Sequence, residues 1–178
     1  MNVKTIVVGS LDTNCYILEK DSNCLIIDPG AEDEKIIKNI DPSKKVVGII
    51  ITHGHEDHYG ACEKIKNKYQ TMIYDIHNMK EGNFLIENFS FDVIYTPGHK
   101  DDQITIYFLK EKKMFVGDFI FKGGIGRTDL AGANPNEMKE SIKRILAYPK
   151  DITLYPGHYE KTTLGLEEEN LIYYLNII

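Results

Sequence analysis

The sequence predicts a layered α+β domain, and three observations carry that prediction. Short β-branched runs recur along the 178 residues, at "VKTIVV", "CYILE", "CLIID", "KVVGIII" and "FDVIY", set apart by Gly, Ser, Asp and Asn turn residues. Helical stretches fall between them, as at "EDEKIIKNI" and "ANPNEMKESIKRILAY". Four apolar runs each end on a potential metal ligand: "KVVGIIITH", "VIYTPGH", "KMFVGD" and "TLYPGH" deliver His53, His99, Asp118 and His158. In a layered protein such strand ends converge on one edge of the core.

In chain order, the first three runs read as strands of a meander or hairpins. "EDEKIIKNI" is a helix whose first-turn acids meet the positive end of its dipole. "KVVGIII" is continuously apolar and reads as a fully buried strand. "YGACEKIKNKY" follows as a helix, then a strand at "TMIY" and another at "FDVIY". "QITIYFLKEKKMFVGD" reads as a hairpin with "KEKK" as its solvated tip. Before the next helix Asn134 can cap, Pro135 suits the first helical position, and Glu137 can reach back to complete a capping box. "DITLYPG" is a strand, and "TTLGLEEENLIYYLN" is a closing helix with its acidic run on a solvated face. No linker or low-complexity tract divides residues 1–178, so one domain is expected.

The bulk composition narrows the function classes. The chain is 42% hydrophobic with a formal net charge of −6, and its acids and bases are dispersed. That balance offers no basic footprint for nucleic acid or an anionic membrane. No segment has membrane-spanning length, and "MNVKTIVVGS" lacks the longer apolar region of a signal peptide. Cys15, Cys24 and Cys62 form no CxxC pair and are odd in number. A disulfide framework is not expected, which suits a soluble cytoplasmic protein, and Cys15 and Cys24, in the apolar stretches "NCYIL" and "NCLIID", read as buried thiols.

The chemistry concentrates in "ITHGHEDHYG". Imidazole and carboxylate suit zinc, iron or manganese, and Gly54 lets the loop bend. His53 and His55 alternate along an extended segment and can face one ion, while Asp57 and His58 in the next turn can face a second. Two ions need more ligands than this, and His99, Asp118 and His158 are placed to supply them. A carboxylate such as Asp118 can bridge two cations. Five of the six histidines are then used, and His77 in "DIHNMK" is left as a surface residue.

With these motifs assembled, the chain resembles a metallo-β-lactamase-superfamily hydrolase of the short glyoxalase II-like branch. The resemblance runs through "TNCYIL", "IIDPG", "THGHEDHYG", "TPGH", "VGDFIFKGGIGRTDL", "YPGH" and "TTLG" in family order. It implies a four-layer αβ/βα sandwich with helices outside and metals at one edge. It assigns His53, His55 and His99 to a first ion, Asp57, His58 and His158 to a second, and Asp118 as the bridge. Asp28 in "IIDPG" matches an aspartate that supports the ligand loop through hydrogen bonds. The sequence departs from the family at "KDDQ" after "TPGH" and at "YEK" after "YPGH", two loops flanking the substrate entrance. The resemblance also implies a chain without the extra C-terminal glutathione-binding region of full-length glyoxalase II.

Two divalent cations lower the pKa of a bridging water from about 15.7 to about 7 and polarise a carbonyl. The expected reaction is attack of a metal-bound hydroxide on a small-molecule thioester such as S-2-hydroxyacylglutathione. Asp57 orients the nucleophile and Asp118 holds both ions. Zinc is the leading metal, with iron or manganese as alternatives. The alternative activities are a mononuclear-iron persulfide dioxygenase using His53, His99 and Asp118, a lactonase, and a non-catalytic metal-stabilised module. The last fits poorly, because seven ligands exceed what a closed structural site requires. Arg127 in "GIGRTDL" reads either as a residue near the pocket meeting a substrate carboxylate or, with Asp129, as an internal ion pair fixing the glycine-rich loop. Lys122 and Tyr159 are candidates for the entrance by loop position alone.

Overall fold

The structure, a computed structural model, describes residues 1–178. The chain opens with an antiparallel meander of β1 (Asn2–Val8), β2 (Thr13–Lys20) and β3 (Asn23–Ile27). Helix α1 (Asp33–Lys38) then carries the chain across to β4 (Lys45–Ile50), which pairs with β3 in parallel. Helices α2 (Glu56–Tyr59) and α3 (Cys62–Tyr69) lead to the short edge strand β5 (Ile73–Tyr74), and the sheet order is β1-β2-β3-β4-β5.

The second half repeats the plan. Strands β6 (Gly82–Ile86), β7 (Phe89–Tyr95), β8 (Ile104–Phe108) and β9 (Lys113–Gly117) form an antiparallel meander. The small hairpin of β10 (Ile120–Phe121) and β11 (Gly124–Ile125) precedes helix α4 (Pro135–Leu146). Strand β12 (Thr153–Pro156) pairs with β9 in parallel, β13 (Thr162–Thr163) closes the edge, and helix α5 (Leu164–Ile177) follows. The second sheet runs β13-β12-β9-β8-β7-β6.

Side-chain alternation along the strands builds the layers. On β2, Tyr16 and Leu18 point between the sheets and meet Phe91, Ile106, Phe108 and Phe115 of the other sheet. Their neighbours Cys15 and Ile17 point the other way and pack with Ile36, Cys62 and Ile65 of α1 and α3. The second sheet turns Tyr107, Met114, Val116 and Leu154 outward against Met138, Ile142 and Ile145 of α4 and Leu164 and Leu171 of α5. The result is the predicted four-layer sandwich. Both faces of the central strands are covered, which explains why "KVVGIII" carries no polar alternation. Each fully buried Ile or Phe contributes about 1.5–3 kcal/mol by leaving water. No helix is long and apolar enough to cross a membrane. All three cysteines are free; Cys15 and Cys24 are buried as expected, and Cys62 is buried too.

Three local expectations are corrected. The capping box at α4 is half made: the Asn134 side chain accepts from the backbone N–H groups of Asn136 and Glu137 at 2.9 and 3.4 Å. The Asn134 N–H that Glu137 would have satisfied instead donates to the Gly98 carbonyl at 2.8 Å. The acidic run of α5 is not wholly solvated, since Glu167 is only 3% exposed. Its carboxylate accepts from the Thr162 hydroxyl at 2.6 Å and from the Gly123 N–H at 2.8 Å, tying the β10–β11 hairpin to α5. The stretch "YGACEKIKNKY" is divided, because α2 ends at Tyr59 and α3 begins at Cys62.

Candidate metal centre

Strands β4, β7, β9 and β12 end on the same edge of the sandwich, and the loops beyond them carry the seven candidate ligands. Around a first centre, His53 Nε2 and His55 Nδ1 are 3.0 Å apart, and His55 Nδ1 and His99 Nε2 are also 3.0 Å apart. Around a second, Asp57 Oδ2 lies 3.4 Å from both His58 Nε2 and His158 Nε2. Asp118 stands between the two. Its Oδ1 is 3.3 Å from His58 Nε2, and its Oδ2 is 3.6 Å from His99 Nε2 and 3.4 Å from His158 Nε2.

This donor set fits divalent ions. Zinc–imidazole bonds of about 2.0–2.1 Å in a tetrahedron leave ligand nitrogens about 3.3 Å apart, close to the spacing of the first triad. His58 Nε2 and Asp118 Oδ1 are buried and make no hydrogen bond. Buried polar atoms rarely stay unsatisfied, and both point into the cluster. The His/Asp cluster therefore fits a dinuclear site.

Charge and burial prepare the two triads differently. Burial, helped by His58, holds the His53 imidazole well below its usual pKa, and burial and His99 lower that of His55. Both are neutral, the form that ligates. Burial also works against protonating His58 and His158, but carboxylates overcome it. Asp28 and Asp118 lift His58 to about 10, and Asp118 and Asp57 lift His158 to about 10. Burial would raise the carboxyls of Asp57 and Asp118, yet the same histidines hold both far below the usual range. Without a metal the second triad is a set of ion pairs whose acids are already ionised.

Hydrogen bonds behind the ligands fix which nitrogen faces inward. Asp28, held in left-handed backbone at φ 51°, accepts from the Thr52 N–H at 2.8 Å and from the Thr52 hydroxyl at 2.7 Å. Its Oδ2 also accepts from His58 Nδ1 at 3.0 Å. The Thr52 hydroxyl spends its proton on Asp28, so it accepts from His53 Nδ1 at 3.1 Å. That leaves a bare Nε2 on His53 facing the cluster, and fixes Nε2 as the atom His58 would present to a metal once its proton is displaced. His99 Nδ1 donates to the Arg127 carbonyl at 2.9 Å, with the same result. Asp57 Oδ2 accepts from the Thr13 hydroxyl at 2.8 Å. Thr52→Val should weaken metal affinity at the first triad by about tenfold to a hundredfold, and Thr52→Ser should restore it. Competition titration of metal-free protein checks this, and equal affinities in the valine variant would contradict it.

The cluster forms the floor of a cleft of about 510 Å³. Arg127 lines it, but its bidentate pair with Asp129, at 2.9 Å for both bonds, lies on the surface rather than inside the protein. Lys122 pairs with Glu160 and does not line the cleft. Tyr159 does, 74% exposed at φ 66°, with its ring edge-on to Phe121 and its carbonyl held by the Asn14 side chain at 2.8 Å. Sequence reasoning missed Leu11, Glu56, Phe121, Ile125 and Leu130, which complete the walls. It also missed Thr13 and Thr52, although a threonine directly before the HxHxDH run was a usable signal.

His77 lies apart. It is exposed and lines a separate cavity of about 230 Å³ behind His53. His77→Ala should leave metal content unchanged, whereas His158→Ala should selectively weaken the second ion. Metal analysis of both variants decides; equal losses would mean that the ligand set is wrong.

The sequence pattern of the metallo-beta-lactamase superfamily matches residues 8–78 and 80–158. The hydroxyacylglutathione hydrolase GloC of Haemophilus influenzae is 30% identical over 206 aligned positions, covering 96% of each chain. Among solved structures, the BLEG-1 B3 metallo-beta-lactamase superposes with a TM-score of 0.90 at 28% identity, covering 97% of this chain and 99% of the other. TTHA1623 in a di-iron-bound form gives 0.86 at 29% identity, over 94% of this chain and 98% of the other.

Proposed function

The chain belongs to the metallo-β-lactamase superfamily, and from that premise we propose that it is a metal-dependent hydrolase cleaving thioesters of the S-2-hydroxyacylglutathione kind. One observation carries the reading: Asp118 reaches His99 of the first triad and His58 and His158 of the second at the floor of an open cleft, with its Oδ1 and His58 Nε2 left unsatisfied there. The glyoxalase II-type relative supports the thioester. The di-iron form of a structural relative keeps iron beside zinc as the resident metal.

Divalent ions bound at this site would supply a nucleophilic water at neutral pH and polarise the substrate carbonyl. The chain's residues do the rest. Asp57, anchored by Thr13, orients the attacking water, and Asp118 holds the two triads in register. Phe121, Ile125 and Leu130 form an apolar wall against which the acyl group packs. Water oxygen adds to the carbonyl carbon, the C–S bond breaks, and the sulfur leaves with the electron pair as a thiolate; of the two water protons, one ends on that sulfur and the other passes to solvent. A thiolate needs little protonation to depart, so no dedicated acid is required. Products are the carboxylate and the free thiol.

The test uses metal-replete protein on S-lactoylglutathione, with thiol release followed by a chromogenic disulfide. Release that disappears on chelation and returns with zinc, iron or manganese is expected. Oxygen uptake on glutathione persulfide without thioester cleavage would assign the site to a dioxygenase instead.

A further inference from the structure

The metal cleft continues into a second groove of about 420 Å³, and the two share Leu11, Glu56 and Asp57 as lining residues. The charges along this path are unevenly satisfied. In the groove, Glu32 accepts from the Gly9 N–H at 2.9 Å and from Lys35 at 3.3 Å, and Asp33 pairs with Lys64 at 2.9 Å. In the cleft, Arg127 is held by Asp129. Outside the metal cluster, Arg127 and Lys64 are the only basic side chains lining the path, and each already has an acid partner. Glu56 is exposed and makes no side-chain hydrogen bond or ion pair. Outside the metal cluster, the free charge on the path is a carboxylate.

The two arms of a thioester have different needs. The apolar wall of Phe121, Ile125 and Leu130 suits an acyl group, which leaves the groove past Glu56 for the thiol carrier. An anionic carrier there would meet Glu56 with no cation to offset it. Recruiting Arg127 or Lys64 would strand Asp129 or Asp33. Building on the thioesterase reading, we infer that Glu56 ranks the thiol carriers: for one acyl group, a cationic, ammonium-bearing thiol is preferred over a neutral one, and a neutral one over an anionic carrier such as glutathione.

Three acetyl thioesters of different carrier charge test this: acetylthiocholine, its uncharged 3,3-dimethylbutyl isostere, and S-acetyl-3-mercaptopropionate, with S-acetylglutathione beside them. The expected kcat/KM falls from the cationic to the neutral to the anionic carriers. Each step is about two- to fivefold, the size of an exposed ion-pair effect, and shrinks as salt is raised. Glu56→Gln should bring the cationic-to-neutral ratio close to one, and Glu56→Lys should invert the order, with two ions retained in both variants. Equal or faster cleavage of the anionic carriers, or a ratio untouched by Glu56→Lys, would overturn the inference and leave the thioesterase reading standing. No cleavage on any carrier by metal-replete protein would overturn both.

Discussion

Asp118→Ala should lose metal at both triads and lower hydrolysis by roughly two orders of magnitude or more, beyond the tenfold to hundredfold typical of residues that merely support a ligand. Asp118 is the one side chain within 3.6 Å of ligand nitrogens in both triads. Removing it deletes the negative charge between two cations as well as a donor from each. It also removes from His58 and His158 one of the two carboxylates that oppose the burial of each, leaving Asp28 and Asp57. Metal analysis and thiol release on one preparation check this. A variant holding two ions with normal turnover would show that the site does not depend on a bridge.

Gly157→Ala should be nearly as damaging, although glycine has no side chain to offer. A Cβ there would sit 2.2 Å from Asp118 Oδ1 and 2.6 Å from His58 Cε1, inside van der Waals contact with a residue of each kind the site needs. The backbone cannot retreat, because the Gly157 N–H donates to the Gly117 carbonyl at 2.8 Å and its carbonyl accepts from the Asn14 N–H at 2.7 Å. Overpacking of this kind costs about 1–3 kcal/mol, a fall of several degrees in Tm for a chain of this size. Here the strain falls on ligands, so metal should be lost with it. Thermal unfolding and metal content measured together test the claim, and a variant unchanged in both would mean that the loop yields.

Much of this was legible in the sequence because the decisive signals are local. The HxHxDH run places four ligands within six residues, and "TPGH" and "YPGH" mark strand ends wherever they fall. The apolar continuity of "KVVGIII" announced a strand covered on both faces. What stayed hidden depends on contacts between distant segments. Strand β6 contains Gly82 and Asn83, poor strand formers, and exists because it pairs with β7, Gly82 against Val93 and Ile86 against Phe89. Glu167 reads as one of three solvated acids until Thr162 and Gly123 close over it. The walls of the cleft come from Leu11, Phe121, Ile125 and Leu130, separated by more than a hundred residues at the extremes, and no periodicity joins them. Arg127 was expected either in the pocket or inside the protein, and it is at the cleft rim with its partner in solvent.

The central claim is that two ions, bridged by one carboxylate, make a hydrolytic site. It is tested most directly by titrating metal-free protein with zinc while following thiol release from a thioester. Activity should rise until two equivalents are bound and then level off. Full activity at one equivalent, or two bound ions without thioester cleavage, would contradict it.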